Sequence, residues 1–203
     1  MSLEPLADQQ LAAVVTYLEM RARPVLAVPS SPLRLERWVR PTSDEYRRLF
    51  RRVGAPWLWF SRLVMDEGEL GAILGSDAVE LFRVVAEDEG EAGLLELDFR
   101  EPESCELAFV GLVPELAGRG HGRWLLAEAV EHAWRPGVAR VHVHTCSLDH
   151  PAALAAYRRA GFMPVRRAVE TFADPRLAGV LPSDCAPQVP LLGTPTSGAA
   201  SCA

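Results

Sequence analysis

Long apolar runs are missing from this sequence. No stretch approaches the roughly 20 residues that a membrane-crossing helix needs, and the N-terminus lacks a basic segment followed by an apolar one. The chain is therefore read as soluble and cytoplasmic, without a membrane partner. An excess of positive charge is missing too. With 21 Lys and Arg against 27 Asp and Glu, the formal net charge is −6. A chain of that balance offers no general basic face to a phosphate backbone, which excludes nucleic acid as a partner but leaves room for a local basic site. Cysteine is scarce: Cys105, Cys146, Cys185 and Cys202 are scattered, with no CxxC and no metal-ligand spacing. Disulfide and zinc scaffolds are excluded on that ground, and Cys105 and Cys146 read as small core residues of strands. No internal repeat is visible.

What is present suits one α/β domain with extensions, because 203 residues can bury a sizeable core. Residues 1–32 form an N-terminal extension. Its run Val14-Val15-Thr16-Tyr17-Leu18 fits a helix or a β-branched strand, with the strand preferred. A Pro/Ser stretch around Pro29 to Pro32 follows as a linker or turn. The domain, residues 33–174, opens on an alternating strand from Leu33 to Trp38. Thr42-Ser43-Asp44-Glu45 is a capping-box signature for a helix carrying Tyr46, Leu49, Phe50 and Val53, stopped by Gly54 and Pro56. A second helix starts near Asp66 and ends at Gly75. Strands are expected at about 78–86, 91–99 and 104–112, the first two joined by a turn at Glu87-Asp88-Glu89-Gly90. A helix with Leu125, Leu126, Ala129, Val130, Ala133 and Trp134 ends at Pro136-Gly137. A strand from Arg140 to Thr145, a helix over about 151–160 and a strand from Met163 to Phe172 complete the domain. Residues 175–203, rich in Pro, Gly, Ala and Ser, read as a poorly ordered tail. The order implies an α/β fold with a mixed sheet and helices on both faces.

The most informative stretch is Leu112-Val113-Pro114-Glu115-Leu116-Ala117-Gly118-Arg119-Gly120-His121-Gly122-Arg123. A strand runs into three alternate glycines and a helix begins at once. Without Cβ atoms, such a turn lets backbone N–H groups converge on an anion at a helix N-terminus, where the dipole adds attraction. Arg119 and Arg123 add full positive charge. The natural ligand is a phosphate or pyrophosphate, although a tight turn without ligand would carry the same glycines. A Rossmann reading fails on the GxGxG spacing and a Walker loop fails for want of Gly-Lys-Ser/Thr.

With its flanks this stretch resembles the acetyl-CoA motif of the GNAT superfamily of N-acetyltransferases, Q/R-x-x-G-x-G/A after a strand. Gly120 and Gly122 take the glycine positions and Ala117 stands at the first. Downstream, Leu148 to Phe162 is similar to the family's N-x-x-A-x-x-x-Y-x-x-x-G-F helix, with Ala153, Tyr157, Gly161 and Phe162 in register and His150 where Asn is usual. The resemblance covers roughly residues 33–172. It implies a central, mostly antiparallel sheet splayed at the cofactor site. It also implies direct transfer of an acetyl group from acetyl-CoA, as co-substrate, to a primary amine of a small molecule or of a protein. The resemblance places Gly118, Arg119, Gly120, His121, Gly122, Arg123, Leu112, His150 and Ala153 at the cofactor. A homodimer is left open, and a degenerate acyl-CoA-binding module without catalysis is the rival reading.

Chemistry then states what the site needs. An alkylamine with a pKa near ~10.4 is almost wholly protonated at pH 7, so a base must take its proton. A fixed N–H must meet the oxyanion. For the base the resemblance points to Glu106, which could equally be an exposed strand carboxylate, with Glu96 and Asp98 as alternatives. It points to the N–H of Val110 for the oxyanion, and to Tyr157 as the group facing the CoA sulfur. Against that, Tyr157 could be a core aromatic paired with Leu154. His142 and His144 share a strand face. Histidines at that spacing without an acid–Cys set are more often structural, so no metal is expected, though His144 could reach the acceptor. Trp57, Trp59 and Phe60, between the first two helices, either line the acceptor pocket or pack beneath the loop. Glu96 and His144 complete the candidate acceptor contacts.

Overall fold

The structure, a computed structural model, describes residues 3–86 and 90–193. One seven-stranded sheet organises them, in the order β2-β3-β4-β5-β6-β1-β7. The strands are β1 (Gln10–Met20), β2 (Arg34–Arg37), β3 (Val79–Ala86), β4 (Gly90–Asp98), β5 (Ser104–Leu112), β6 (Arg140–Cys146) and β7 (Met163–Ala173). Every neighbouring pair is antiparallel except β5 with β6. The mixed, mostly antiparallel sheet expected from the sequence is therefore present.

Local chemistry explains the helices. α1 (Ser43–Gly54) opens on a reciprocal box: Thr42 Oγ1 accepts from the Glu45 N–H, and the Thr42 N–H donates to Glu45. α3 (Glu67–Leu74) opens the same way on Asp66 and Glu69. Each such cap is worth about 1 kcal/mol. Between them lies α2 (Ser61–Val64), a single turn that no periodicity announces. α4 (His121–Ala133) and α5 (Ala153–Arg159) follow β5 and β6.

The two helix layers take opposite faces of the sheet, because side chains alternate along a strand. Tyr46 of α1 donates its hydroxyl to Glu96, and the Phe82 ring meets His132 of α4 at 4.8 Å. Glu96 pairs with Leu81 and Phe82 with Leu95, so the two contacts lie on opposite sides. The core between them includes Leu49, Phe50, Leu94, Leu95, Leu97, Leu107, Leu125 and Val141. No helix among the described residues is long and apolar enough to cross a membrane.

Two expectations change. The N-terminal strand is not peripheral: β1 lies inside the sheet, pairing Met20 with Val141 of β6 and Gln10 with Ala173 of β7. Nor are residues 175–193 a loose tail. Leu181 and Ala186 are buried against Leu58, and Arg176 is fully buried on Asp174 while donating to the carbonyls of Cys185, Ala186 and Val189. Apolar side chains spaced through a Pro/Gly-rich stretch were enough to dock it. The turn residues Glu87, Asp88 and Glu89, and Cys202, lie outside the described residues; Ala86 and Gly90 pair as a hairpin end.

Candidate active site

β5 and β6 run parallel over a short stretch only, from Ser104 opposite Arg140 to Glu106 opposite His142. Beyond that point they part. β5 continues along β4 to Leu112, and β6 continues along β1 to Cys146. The result is a fork with an open edge on each strand. Val113 donates its N–H to Ala92 O on the β4 side at 3.0 Å. Backbone direction alternates along a strand, so the N–H groups of Val110 and Leu112 turn the other way, into the fork.

On the α4 side the fork meets the glycine turn. Gly118 and Gly120 have φ of +76° and +85°, which a side-chain-bearing residue adopts only with strain. α4 begins on Gly120 with no side-chain cap and no acidic residue in its first turn. A Cβ built on Gly118, Gly120 or Gly122 meets nothing within 4 Å, so the turn faces open space. An uncapped helix end beside Arg119 and Arg123 has the unpaired N–H groups and positive charge that an anion could use. His121 is held there by Ser31, whose Oγ lies 3.2 Å from its Nδ1. Sequence spacing gave no sign of that contact from the segment before β2.

On the α1 side the fork closes on titratable groups. Glu106 Oε1 lies 3.1 Å from His144 Nδ1, so a carboxylate–imidazole pair bridges the base of the fork. The His144 hydrogen bond, against the opposing effect of burial, lowers the Glu106 pKa. The same bond raises that of His144 above its ordinary 6.5, with Asp149 and Glu170 contributing. Burial is the main cause that lowers His142, which lies between Arg140 and His144. Cavities of 360 Å³ and 340 Å³ flank the pair, and Glu106 and His142 line both. Asp98 and Arg100 line the first; Tyr17, Arg166 and His144 line the second.

The remaining candidates divide. Trp59 leans on Phe109 at 5.2 Å and donates its indole N–H to Asp149 at 3.1 Å. Trp57 meets the His150 ring at 5.0 Å, and His150 Nδ1 accepts from the Ala152 N–H ahead of α5, where Ala153 begins the helix. Tyr157 packs on the core with its ring edge-on to Phe162 at 5.8 Å. Burial raises its hydroxyl pKa, so the group stays protonated and able to donate.

Two acceptor candidates do not fit. Glu96 is fully buried, receiving the Tyr46 hydroxyl and Arg62 Nη2 at 2.6 Å, with Arg62 stacked over Phe109 at 5.0 Å. Its charge is committed to that network, and it lines neither of the two cavities beside Glu106. Phe60 turns away to Phe172 at 5.1 Å and joins the small cluster around Leu58 and Leu181. Asp98 is likewise engaged: burial resists its charge, but hydrogen bonds from Arg100 outweigh burial and lower its pKa. Sequence reading missed Asp149, which also accepts from Thr145 Oγ1 at 2.7 Å and the Cys146 N–H at 2.8 Å. Its position just before His150 in the second motif was the one available signal.

Comparison with known proteins places this architecture. The model of the acetyltransferase (GNAT) family matches residues 35–162. Over 76 residues the sequence is 42% identical to the N-alpha-acetyltransferase RimI of Mycobacterium tuberculosis, covering 37% of this chain and 46% of that protein. The chain thus spans about half the length of that relative. A GCN5-related N-acetyltransferase from Sphaerobacter thermophilus superposes with a TM-score of 0.55 at 19% identity, over 79% of this chain and 51% of that one. The spermidine N-acetyltransferase SpeG of Vibrio cholerae, as a mutant, gives 0.51 at 18% identity, over 72% and 96%. At those identities the structural likeness is one of fold.

Proposed function

The chain belongs to the GNAT acetyltransferase family, and from that membership we propose that it transfers an acetyl group from acetyl-CoA to a primary amine by direct attack. The observation that carries the reading is the fork itself: an uncapped, glycine-opened helix on one face and the Glu106–His144 pair on the other, meeting where β5 and β6 separate. The residues suit the donor. The turn from Gly118 to Arg123 would take its pyrophosphate, the Leu112 backbone its pantetheine arm, and the Val110 N–H an oxyanion. His150 and Ala153, ahead of and at the start of α5, would complete the contacts to the donor. Acetyl-CoA supplies an activated acyl thioester.

The chain's own groups do the rest. Glu106 serves the deprotonation of the acceptor. Tyr157, kept protonated by burial, donates its proton toward the departing sulfur. The open clefts of 360 Å³ and 340 Å³ beside Glu106 leave room for a small-molecule amine. The test is a panel of acetyl-CoA with an alkylamine, a diamine, an arylalkylamine and a peptide with a free N-terminus. Thiol release is followed and the product weighed by mass spectrometry. The chain contains no lysine, so any acetyl-lysine found with a protein acceptor belongs to that acceptor. Acetyl-CoA binding without thiol release on any amine would replace this reading with a non-catalytic acyl-CoA-binding module.

A further inference from the structure

The bond between Glu106 and His144 has a direction. A carboxylate only accepts, so the imidazole nitrogen facing it, Nδ1 at 3.1 Å from Oε1, carries the hydrogen. In a neutral ring that leaves Nε2 as the lone-pair nitrogen. The His144 side chain is 50% exposed and the Glu106 side chain 31%, so the imidazole is the more open member of the pair. It lines the cavity with Tyr17, Val165 and Arg166. Tyr17 stands beside the ring at 5.9 Å and is itself covered by the Arg166 guanidinium at 4.1 Å, which restrains the imidazole from the β1 side.

Resting on the acetyl-transfer reading, we propose that Nε2 of His144 takes the proton of the acceptor amine, and that Glu106 is the positioning residue that holds the imidazole in the required tautomer. The charge balance agrees. A carboxylate held below its ordinary range is a poor base at neutral pH, whereas an imidazole held above 6.5 is matched to it. The groups facing His144 are Glu106 from β5, Tyr17 and Glu19 from β1, Arg166 and Glu170 from β7, Asp149 beyond β6, and His142 on its own strand. Glu106, Asp149 and Glu170 favour the imidazolium.

The step balances. The bound ammonium gives one proton to Nε2, and its freed lone pair forms the new N–C bond. The C–S bond breaks with its electron pair leaving on sulfur. Tyr157 gives its hydroxyl proton to that thiolate and regains one from the nitrogen's second proton, and the imidazolium returns its own to solvent.

The experiment compares the full chain with His144→Gln and Glu106→Gln, using acetyl-CoA and the alkylamine of pKa about 10.4. Isotope-edited NMR of the imidazoles and a thermal melt accompany the kinetics. In the wild type, kcat/KM should rise tenfold per pH unit and level off once His144 is neutral, somewhat above pH 6.5. His144→Gln should lose about 10²-fold at pH 7 and keep climbing toward the amine pKa, since only solvent then takes the proton. Glu106→Gln should lower the His144 pKa seen by NMR, move the plateau to lower pH and reduce kcat with KM unchanged. The proposal is overturned if a folded His144→Gln keeps the wild-type rate and plateau. It is equally overturned if Glu106→Gln leaves the His144 titration unmoved. Absence of thiol release by the wild type on every amine would instead remove the acetyl-transfer reading, and this inference with it.

Discussion

Glu96 and Asp98 on β4 and Glu106 on β5 share one face of the sheet, and their neighbours give each carboxylate a different task. Glu96 is enclosed by Tyr46 and Arg62, and removing one member of such a buried pair commonly costs about 3–5 kcal/mol. Asp98 is occupied by Arg100, while Glu106 faces the cavities and His144. Residue type and alternation left the three equivalent, and only the partners separate them. Tyr157 illustrates the converse, because its motif context was readable and its packing was not. The ring is part of the core's edge and the hydroxyl is kept protonated. Tyr157→Phe should therefore leave the melting temperature within a degree or two, since no cavity forms. It should cut kcat by roughly 10²-fold, the low end for loss of a general acid, because a CoA thiol of pKa about 8.5 leaves tolerably unaided. Turnover within a few-fold of wild type would reduce the tyrosine to packing.

The glycine turn is where element-scale physics predicts opposite signs for stability and binding. Gly120 sits at φ +85°, so a proline there, fixed near −65°, would damage the turn itself and tell nothing about ligand. Gly122 is the better probe. It lies in the first turn of α4, outside the left-handed region of the backbone, and a Cβ built on it meets nothing within 4 Å. Gly122→Asp places a carboxylate at the positive end of an uncapped helix, which stabilises by about 0.3–1 kcal/mol. The same charge repels a pyrophosphate. Melting temperature should hold or rise while acetyl-CoA affinity falls at least tenfold by calorimetry; a variant that binds as tightly as wild type would move the anion site elsewhere. Capping at Thr42 and Asp66 was legible because each box spans four residues of sequence. α2 was not, being a single turn whose Arg62 is fixed by a distant Glu96.

At the scale of the whole molecule the first strand binds the last two. β1 separates β6 from β7, and both leave their pairing edges to it. A chain beginning at residue 33 would expose those two edges together with the Leu18 and Met20 sites of the core, a template for aggregation. Such a truncation should lose its cooperative melt and elute as aggregate on size exclusion. A truncated monomer melting within a few degrees of the full chain would mean that β6 and β7 close without β1.

Sequence alone determined what is local. Periodicity and local turn chemistry set the strands from Val79 to Leu112, the caps of α1 and α3, the helix of Leu125 to Ala133, and the glycine turn that opens α4 without a cap. Each depends on neighbours a few residues away, whose spacing is written in the chain. Tertiary structure alone decided which carboxylate faces the cavities, which histidine pairs with it, that Asp149 ties Trp59 to β6, and that residues 175–193 dock on Leu58. Those outcomes join positions tens of residues apart: Glu106 to His144, Trp59 to Asp149, Gln10 to Ala173. A polar side chain declares its hydrogen-bonding capacity in sequence, but its partner is chosen by burial, where an unmatched group costs about 1–3 kcal/mol and a matched one is kept.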